Sequence, residues 1–235
     1  MVQLVPPKTP DSMIISYMTL RKILGLLGVS LVPVMIIGSV AIDHLNTVEV
    51  SVSAYYYTSM RNGLVGILCG MSLFLLSYHG NERIDSIASK LAGVFALGIA
   101  FFPTSPTGEK DDLVSIIHYV TSGIYFAILS YMSVFLFTRS RGYKTQEKKK
   151  RNRVYRICGV IMAASAICIP LDGIRGVHDK IIFLKPTLIL ETIALTSFGV
   201  SWLIKGEFLL ADKEDQGSLP GRMEDHFTSE VIHPV

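Results

Sequence analysis

Two ionisable side chains fall inside apolar sequence. His118 lies a few residues into the run Leu113 to Phe137, and Glu191 a few residues into Pro186 to Ile204. Ionisable groups so placed are costly in a membrane and point to function or strong coupling. His118, Ser122 and Tyr125 share one helical face by their i, i+4, i+7 spacing, and Thr187, Glu191, Phe198 and Trp202 share another. At about 1.5 Å of rise per residue both ionisable groups sit roughly 6–8 Å below the same boundary, so their side chains are expected to meet. Other polar residues gather at that end of the apolar runs. They are Asp43 and His44, then Ser51, Ser53, Tyr55, Tyr56, Tyr57 and Arg61, then Asp172, Arg175, His178 and Asp179.

Such a set forms either a polar pocket opening outward or a hydrogen-bonded cluster that locks helices beneath a belt of interfacial tyrosines. As a pocket, its ligand-binding residues are Ser53, Tyr55, Tyr56, Tyr57, Arg61, His118, Ser122, Tyr125, Asp172, Arg175 and Glu191. Arg61 and Arg175 are then anion contacts, the three tyrosines lie at headgroup level, and His118 with Glu191 forms the polar centre. Asp43, His118, His178, Asp179 and Glu191 supply ligand types that suit zinc. No two histidines have close helical spacing, however, so no metal is assigned. A haem held by two intramembrane histidines would need a partner for His118, and there is none. No nucleophile elbow, phosphate-binding loop or dinucleotide fingerprint occurs in a fitting context, so no catalytic residue and no cofactor is expected. Retinal would need a buried lysine in a late apolar run, which is absent.

The elements that must carry these residues are long and apolar. Of 235 residues, 50% are hydrophobic and 17% charged, against about 25% charged in an ordinary soluble domain. Mean hydropathy is +0.45. These values exclude a disordered chain and argue against a soluble enzyme. Cys69, Cys158 and Cys168 are odd in number and lie inside apolar blocks, which gives neither a disulfide framework nor a metal finger. Met1 to Ser12 lacks the basic-then-apolar order of a cleavable leader.

Six runs read as membrane spans: Ile23–Ile42, Met60–Tyr78, Ile87–Phe102, Leu113–Phe137, Val154–Leu171 and Pro186–Ile204. Backbone groups in lipid must be satisfied internally, and no period-two alternation is present, so the runs are helices and not barrel strands. The predicted fold is all-α, an integral membrane bundle of six transmembrane helices over residues 20–206. A cytoplasmic segment, 1–19, precedes it. An acidic tail, 207–235, follows and is expected to be disordered.

Orientation follows from charge. Of the 22 lysines and arginines, all but Arg61, Lys110, Arg175, Lys180 and Lys185 fall on one side of a six-span layout. That bias places both termini in the cytoplasm, and the expected location is a bacterial inner membrane. The basic run Arg139 to Arg153 is read as this orientation signal, with attraction to anionic lipid as a by-product and no nucleic-acid partner. Gly66 and Gly70, then Ala92, Ala96 and Ala100, then Gly159 and Ala163 repeat small residues four apart. Such spacing lets helix backbones approach closely. It serves internal packing or, at Gly66 and Gly70, a homodimer face.

Five strings carry a resemblance: SYMTLRKILGLLGVSLVPV at Ser16 to Val34, SVSAYYYTSMRNGLVGIL at Ser51 to Leu68, KLAGVFALGIAFFPT at Lys90 to Thr104, IHYVTSGIYF at Ile117 to Phe126 and ETIALTSFGVSWLIKG at Glu191 to Gly206. As a set they resemble a family of uncharacterised bacterial multi-pass membrane proteins, and distantly the Frag/DRAM/Sfk-type six-helix proteins. The resemblance implies six helices and a membrane location, and no activity. The chain is also similar to alkaline ceramidase and progestin-receptor type membrane hydrolases in having Ser, Asp and His groups in a helical bundle, but it lacks their HxxxH pair. The expectation is a polytopic membrane protein that binds membrane lipid or a small amphiphile in an outward-facing polar pocket, without defined catalysis. The alternatives are a metal-dependent intramembrane lipid hydrolase and a proton-coupled transporter using Glu191 and His118.

Overall fold

A helix satisfies its own backbone hydrogen bonds, so apolar runs become helices wherever water is excluded, even with Pro33 inside the first and Pro170 inside the fifth. The computed structural model describes residues 17–44, 47–80, 82–139, 146–172 and 184–210, with backbone alone at 171–172. Among them six α-helices form: α1 (Tyr17–Asp43), α2 (Arg61–Ser77), α3 (Arg83–Phe101), α4 (Leu113–Tyr131), α5 (Gln146–Asp172) and α6 (Pro186–Lys205). A 3-10 turn, Ser53–Tyr57, lies between α1 and α2, and a π turn, Met132–Leu136, prolongs α4. No strand occurs among the described residues.

Five of these helices are long and apolar enough to cross a membrane; α2 is apolar but has 17 residues. At about 1.5 Å per residue α2 reaches roughly 25 Å, short of a hydrocarbon core of about 30 Å. Several helices outrun their apolar stretches. α1 begins at Tyr17 and takes in Arg21 and Lys22, and α5 begins at Gln146, so the basic run from Lys148 to Arg156 is helical. α3 begins at Arg83, where Glu82 and Asp85 form a capping box. Hydropathy marks where a helix is apolar, and lysine or arginine beyond that point is a good helix former.

Each helix packs on its neighbours in sequence, and α6 returns against α1, which closes a ring of six. Glycine sets the α1–α6 crossing. A Cβ on Gly25 would lie 2.8 Å from the Gly199 carbonyl oxygen, and one on Gly199 would lie 2.6 Å from that of Gly25. Ala92, Ala96 and Ala100 are buried, in keeping with their spacing. Gly159 packs against Ser130 and Val134 of the α4 segment. Serines add hydrogen bonds between helices: Ser72 donates to the Gly93 carbonyl at 2.7 Å, Ser89 to Leu75 at 2.7 Å and Ser130 to Gly159 at 2.6 Å. Gly66 and Gly70 depart from the packing expectation. A Cβ on Gly66 meets nothing within 4 Å, and one on Gly70 meets only Leu27 at 3.8 Å. The second helix turns Gly66 away from its neighbours and leaves Gly70 only an ordinary contact with α1.

The outside of the ring is apolar. Ile37 and Ile167 are each 67% exposed, and Leu73, Val160 and Phe135 are also largely exposed. One end is closed by an aromatic and basic knot. Trp202 meets Tyr78 and Phe137 edge-on at 5.0 and 5.2 Å. The Arg21 guanidinium lies 5.1 Å from the Tyr17 ring and donates to the Lys205 carbonyl at 3.3 Å, at the C-terminus of α6 where a cation is favoured. The opposite end carries the Ser53–Tyr57 turn, the α3–α4 connection and the start of α6 at Pro186.

Candidate functional site

The α1–α2 connection folds inward because its own polar groups hold it in a turn. The Ser51 hydroxyl accepts from the Ala54 amide at 3.0 Å, and Thr58 donates to the Tyr55 carbonyl at 2.8 Å. Tyr55 is completely buried, and its hydroxyl accepts from the Glu49 amide at 3.3 Å. The turn is also tied to α6, since Leu188 N–H donates to the Val50 carbonyl at 3.1 Å and the Lys185 ammonium donates to Val48.

Two further bonds reach this turn from the helices. A Glu191 carboxylate oxygen accepts from the Val52 N–H at 2.5 Å. His118 Nε2 bonds the Ser53 hydroxyl at 3.0 Å, while Nδ1 bonds the Phe102 carbonyl at 2.7 Å. A carbonyl only accepts, so Nδ1 carries a proton, and in the neutral imidazole Nε2 accepts from Ser53. The start of α4, which places His118, is capped by Asp112. The Ser115 N–H at 2.8 Å, with the Ser115 hydroxyl at 2.7 Å, holds the Asp112 carboxyl below its usual range.

The expected contact between His118 and Glu191 is not made. Neither an ion pair nor a hydrogen bond joins them. The ring order explains this: α5 stands between α4 and α6, so the two side chains face one space from different walls. That space is a cavity of about 640 Å³, within the range of small-molecule sites. Its mouth is polar, with Ser51, Ser53, Thr104, Glu109, Asp111 and Lys185. Its depth is apolar, with Leu31, Leu68, Phe126 and Leu195. Three lining groups lack any hydrogen-bond partner among the described residues: the Ser122 hydroxyl, the Tyr125 hydroxyl and the second oxygen of Glu191. Tyr125 is only 1% exposed, and a buried hydroxyl without a partner is costly.

Six residues picked from sequence line this cavity: Ser53, Tyr56, His118, Ser122, Tyr125 and Glu191. Three others are described and do not. Tyr55 lies buried beneath the turn, and Tyr57 is half-exposed and donates to the Thr104 carbonyl. Arg61, expected to be an anion contact, lays its guanidinium 4.2 Å from the Tyr56 ring centre and donates to the Tyr56 hydroxyl at 2.5 Å. The Asp172 side chain, and Arg175, His178 and Asp179 entirely, lie outside the described residues. Asp43 is held by Ser59, whose N–H donates to it at 3.2 Å, and so stands apart from the cavity. Among the described residues no three His, Cys, Asp or Glu side chains come together to hold a metal.

Lys185, Asp111 and Tyr119 line the cavity without having been singled out in the sequence. Lys185 had a visible signal, because it precedes Pro186 at the first position of α6. The Val52 N–H had none, since a backbone donor has no residue type. Comparison with known proteins gives no match: no family model, no curated protein and no solved structure aligns significantly with the chain.

Proposed function

We propose that this chain is a multi-pass protein of a bacterial inner membrane, crossing it six times with the shorter α2 included and with both termini in the cytoplasm. In this reading its cavity takes a membrane lipid or another amphiphile from the outer side. The apolar outer surface of the ring supports the membrane setting, since about 30 Å of hydrocarbon solvates such side chains. The arginines and lysines at the knotted end support the orientation. One observation carries the ligand reading. The cavity passes from a polar mouth to an apolar depth, and Ser122, Tyr125 and Glu191 present unmatched hydrogen-bonding groups along its wall.

Gly123 makes the test possible. It lines the cavity, and a Cβ added there meets nothing within 4 Å. A Gly123→Trp side chain therefore adds bulk at the cavity wall without displacing backbone. The parent, purified in mild detergent and measured by native mass spectrometry, is expected to retain an amphiphile that Gly123→Trp has lost at a similar melting temperature. Identical retained lipids in both proteins would remove the cavity as their site.

A further inference from the structure

We propose that the occupant of the cavity carries a positively charged head, an amine or a quaternary ammonium, on a single apolar chain. This rests on the reading of the cavity as an amphiphile site. Among the described lining residues the acids are Glu109, Asp111 and Glu191, and the only lysine or arginine is Lys185. The Lys185 ammonium is already engaged by the Val48 carbonyl. Arg61, the cation that made an anionic headgroup attractive from sequence, faces the Tyr56 ring instead of the cavity. An anionic head would thus meet three acidic side chains against a single ammonium among the described lining residues.

A cationic head finds the opposite. One Glu191 oxygen is fixed by the Val52 N–H, and the other has no partner among the described residues. Tyr119 lines the same cavity within electrostatic reach of Glu191. Aromatic faces attract ammonium groups, and a carboxylate beside an aromatic ring is a fitting receptor for one. The Tyr125 hydroxyl is buried and unpartnered, seven residues along α4 from His118 and so about 10 Å deeper. It lies where the apolar chain would run and does not bear on the charge of the head. The cavity's 640 Å³ lies mid-range for small-molecule sites and suits one chain better than two.

The test uses three probes with the same tail, each below its micellar concentration: decyltrimethylammonium, decanesulfonate and decyl glucoside. Binding to the full chain in nanodiscs is measured by calorimetry, with Gly123→Trp as the blocked control. Decyltrimethylammonium is expected to bind about tenfold or more tightly than decanesulfonate, a difference of about 1.4 kcal/mol. Glu191→Gln, which keeps an oxygen for the Val52 N–H, is expected to bring that ratio below about threefold. Should that variant fail to fold, Glu109→Gln combined with Asp111→Asn at the exposed mouth is expected to narrow the ratio in the same direction. Equal or tighter binding of the sulfonate or the glucoside to the parent overturns the cationic head and leaves the cavity reading standing. Binding of all three probes that Gly123→Trp leaves intact, or no binding at all, overturns the cavity reading itself.

Discussion

Glu191 and His118 hold adjacent residues of one turn and do not touch each other. The carboxylate takes the Val52 N–H at 2.5 Å and the imidazole takes the Ser53 hydroxyl at 3.0 Å. Two helices that are not neighbours in the ring are thereby joined through a short piece of backbone from the α1–α2 connection. The same bonds form the upper wall of the cavity, so the shape of the site depends on them.

The two residues are expected to be coupled through that turn. Glu191→Leu strands the Val52 N–H, and leaving a buried donor unpaired costs about 1–3 kcal/mol. His118→Leu strands Ser53 and the Phe102 carbonyl. Once either is gone the turn can relax, so the double variant is expected to lose less than the two single losses combined, by about 0.5 kcal/mol or more. Melting of the four proteins in detergent measures the cycle. Strict additivity would show that Val52 and Ser53 respond independently.

The glycine contacts separate two kinds of small residue. Gly25→Leu drives a side chain into the α6 backbone, and overpacking of this kind costs about 1–3 kcal/mol. Gly66→Leu faces open space and is expected to change stability by no more than about 0.5 kcal/mol. If Gly66→Leu instead breaks up an oligomer while the melting of the protomer holds, the proposed homodimer face gains its support. Equal destabilisation by both would place α2 differently in the ring.

Trp202 is the single tryptophan of the chain and is 1% exposed. Its emission therefore reports the aromatic knot alone. Blue-shifted emission resistant to iodide is expected in the folded protein. Trp202→Ala removes the contacts to Tyr78, Phe137 and Phe198 and is expected to cost about 3–5 kcal/mol, read from denaturation. Ready quenching would mean that the knotted end of the bundle is open.

Asp112 links the start of α4 to pH. Its carboxyl titrates below the ordinary value of 3.8 because the charged form accepts the Ser115 N–H. Stability from this cap is therefore complete above the ordinary value and is lost as pH falls through the lower folded value. Asp112→Ala is expected to melt below the parent at neutral pH, and the gap is expected to close on acidification. A gap that persists unchanged at strongly acidic pH would assign the loss to something other than the charged cap.

Sidedness can be read by chemical labelling of intact cells. Thr107→Cys in the α3–α4 connection is expected to react with an impermeant reagent added outside, and Lys149→Cys on the first turns of α5 is not. The reverse pattern would turn the cavity mouth towards the cytoplasm.

How much of this was legible without the fold differs by residue. The starts of α4 at Leu113 and α6 at Pro186 are where the apolar runs begin, since helix formation in an apolar run depends on local backbone bonding and on hydropathy that adds along the chain. The placing of His118 and Glu191 towards one end also follows from their positions in those runs. Tertiary structure alone decided the rest. Glu191 finds its partner in a backbone N–H 139 residues away, a donor that no residue type announces. Arg61 turns to Tyr56, and close packing uses Gly25 and Gly199 in place of Gly66 and Gly70. The physical reason is that periodicity names the residues sharing a helix face but not the surroundings that face meets. In water a polar face would point outward and settle the question. In a helix apolar on both sides, lipid and protein interior are equally acceptable neighbours, and only the packing of the ring distinguishes them.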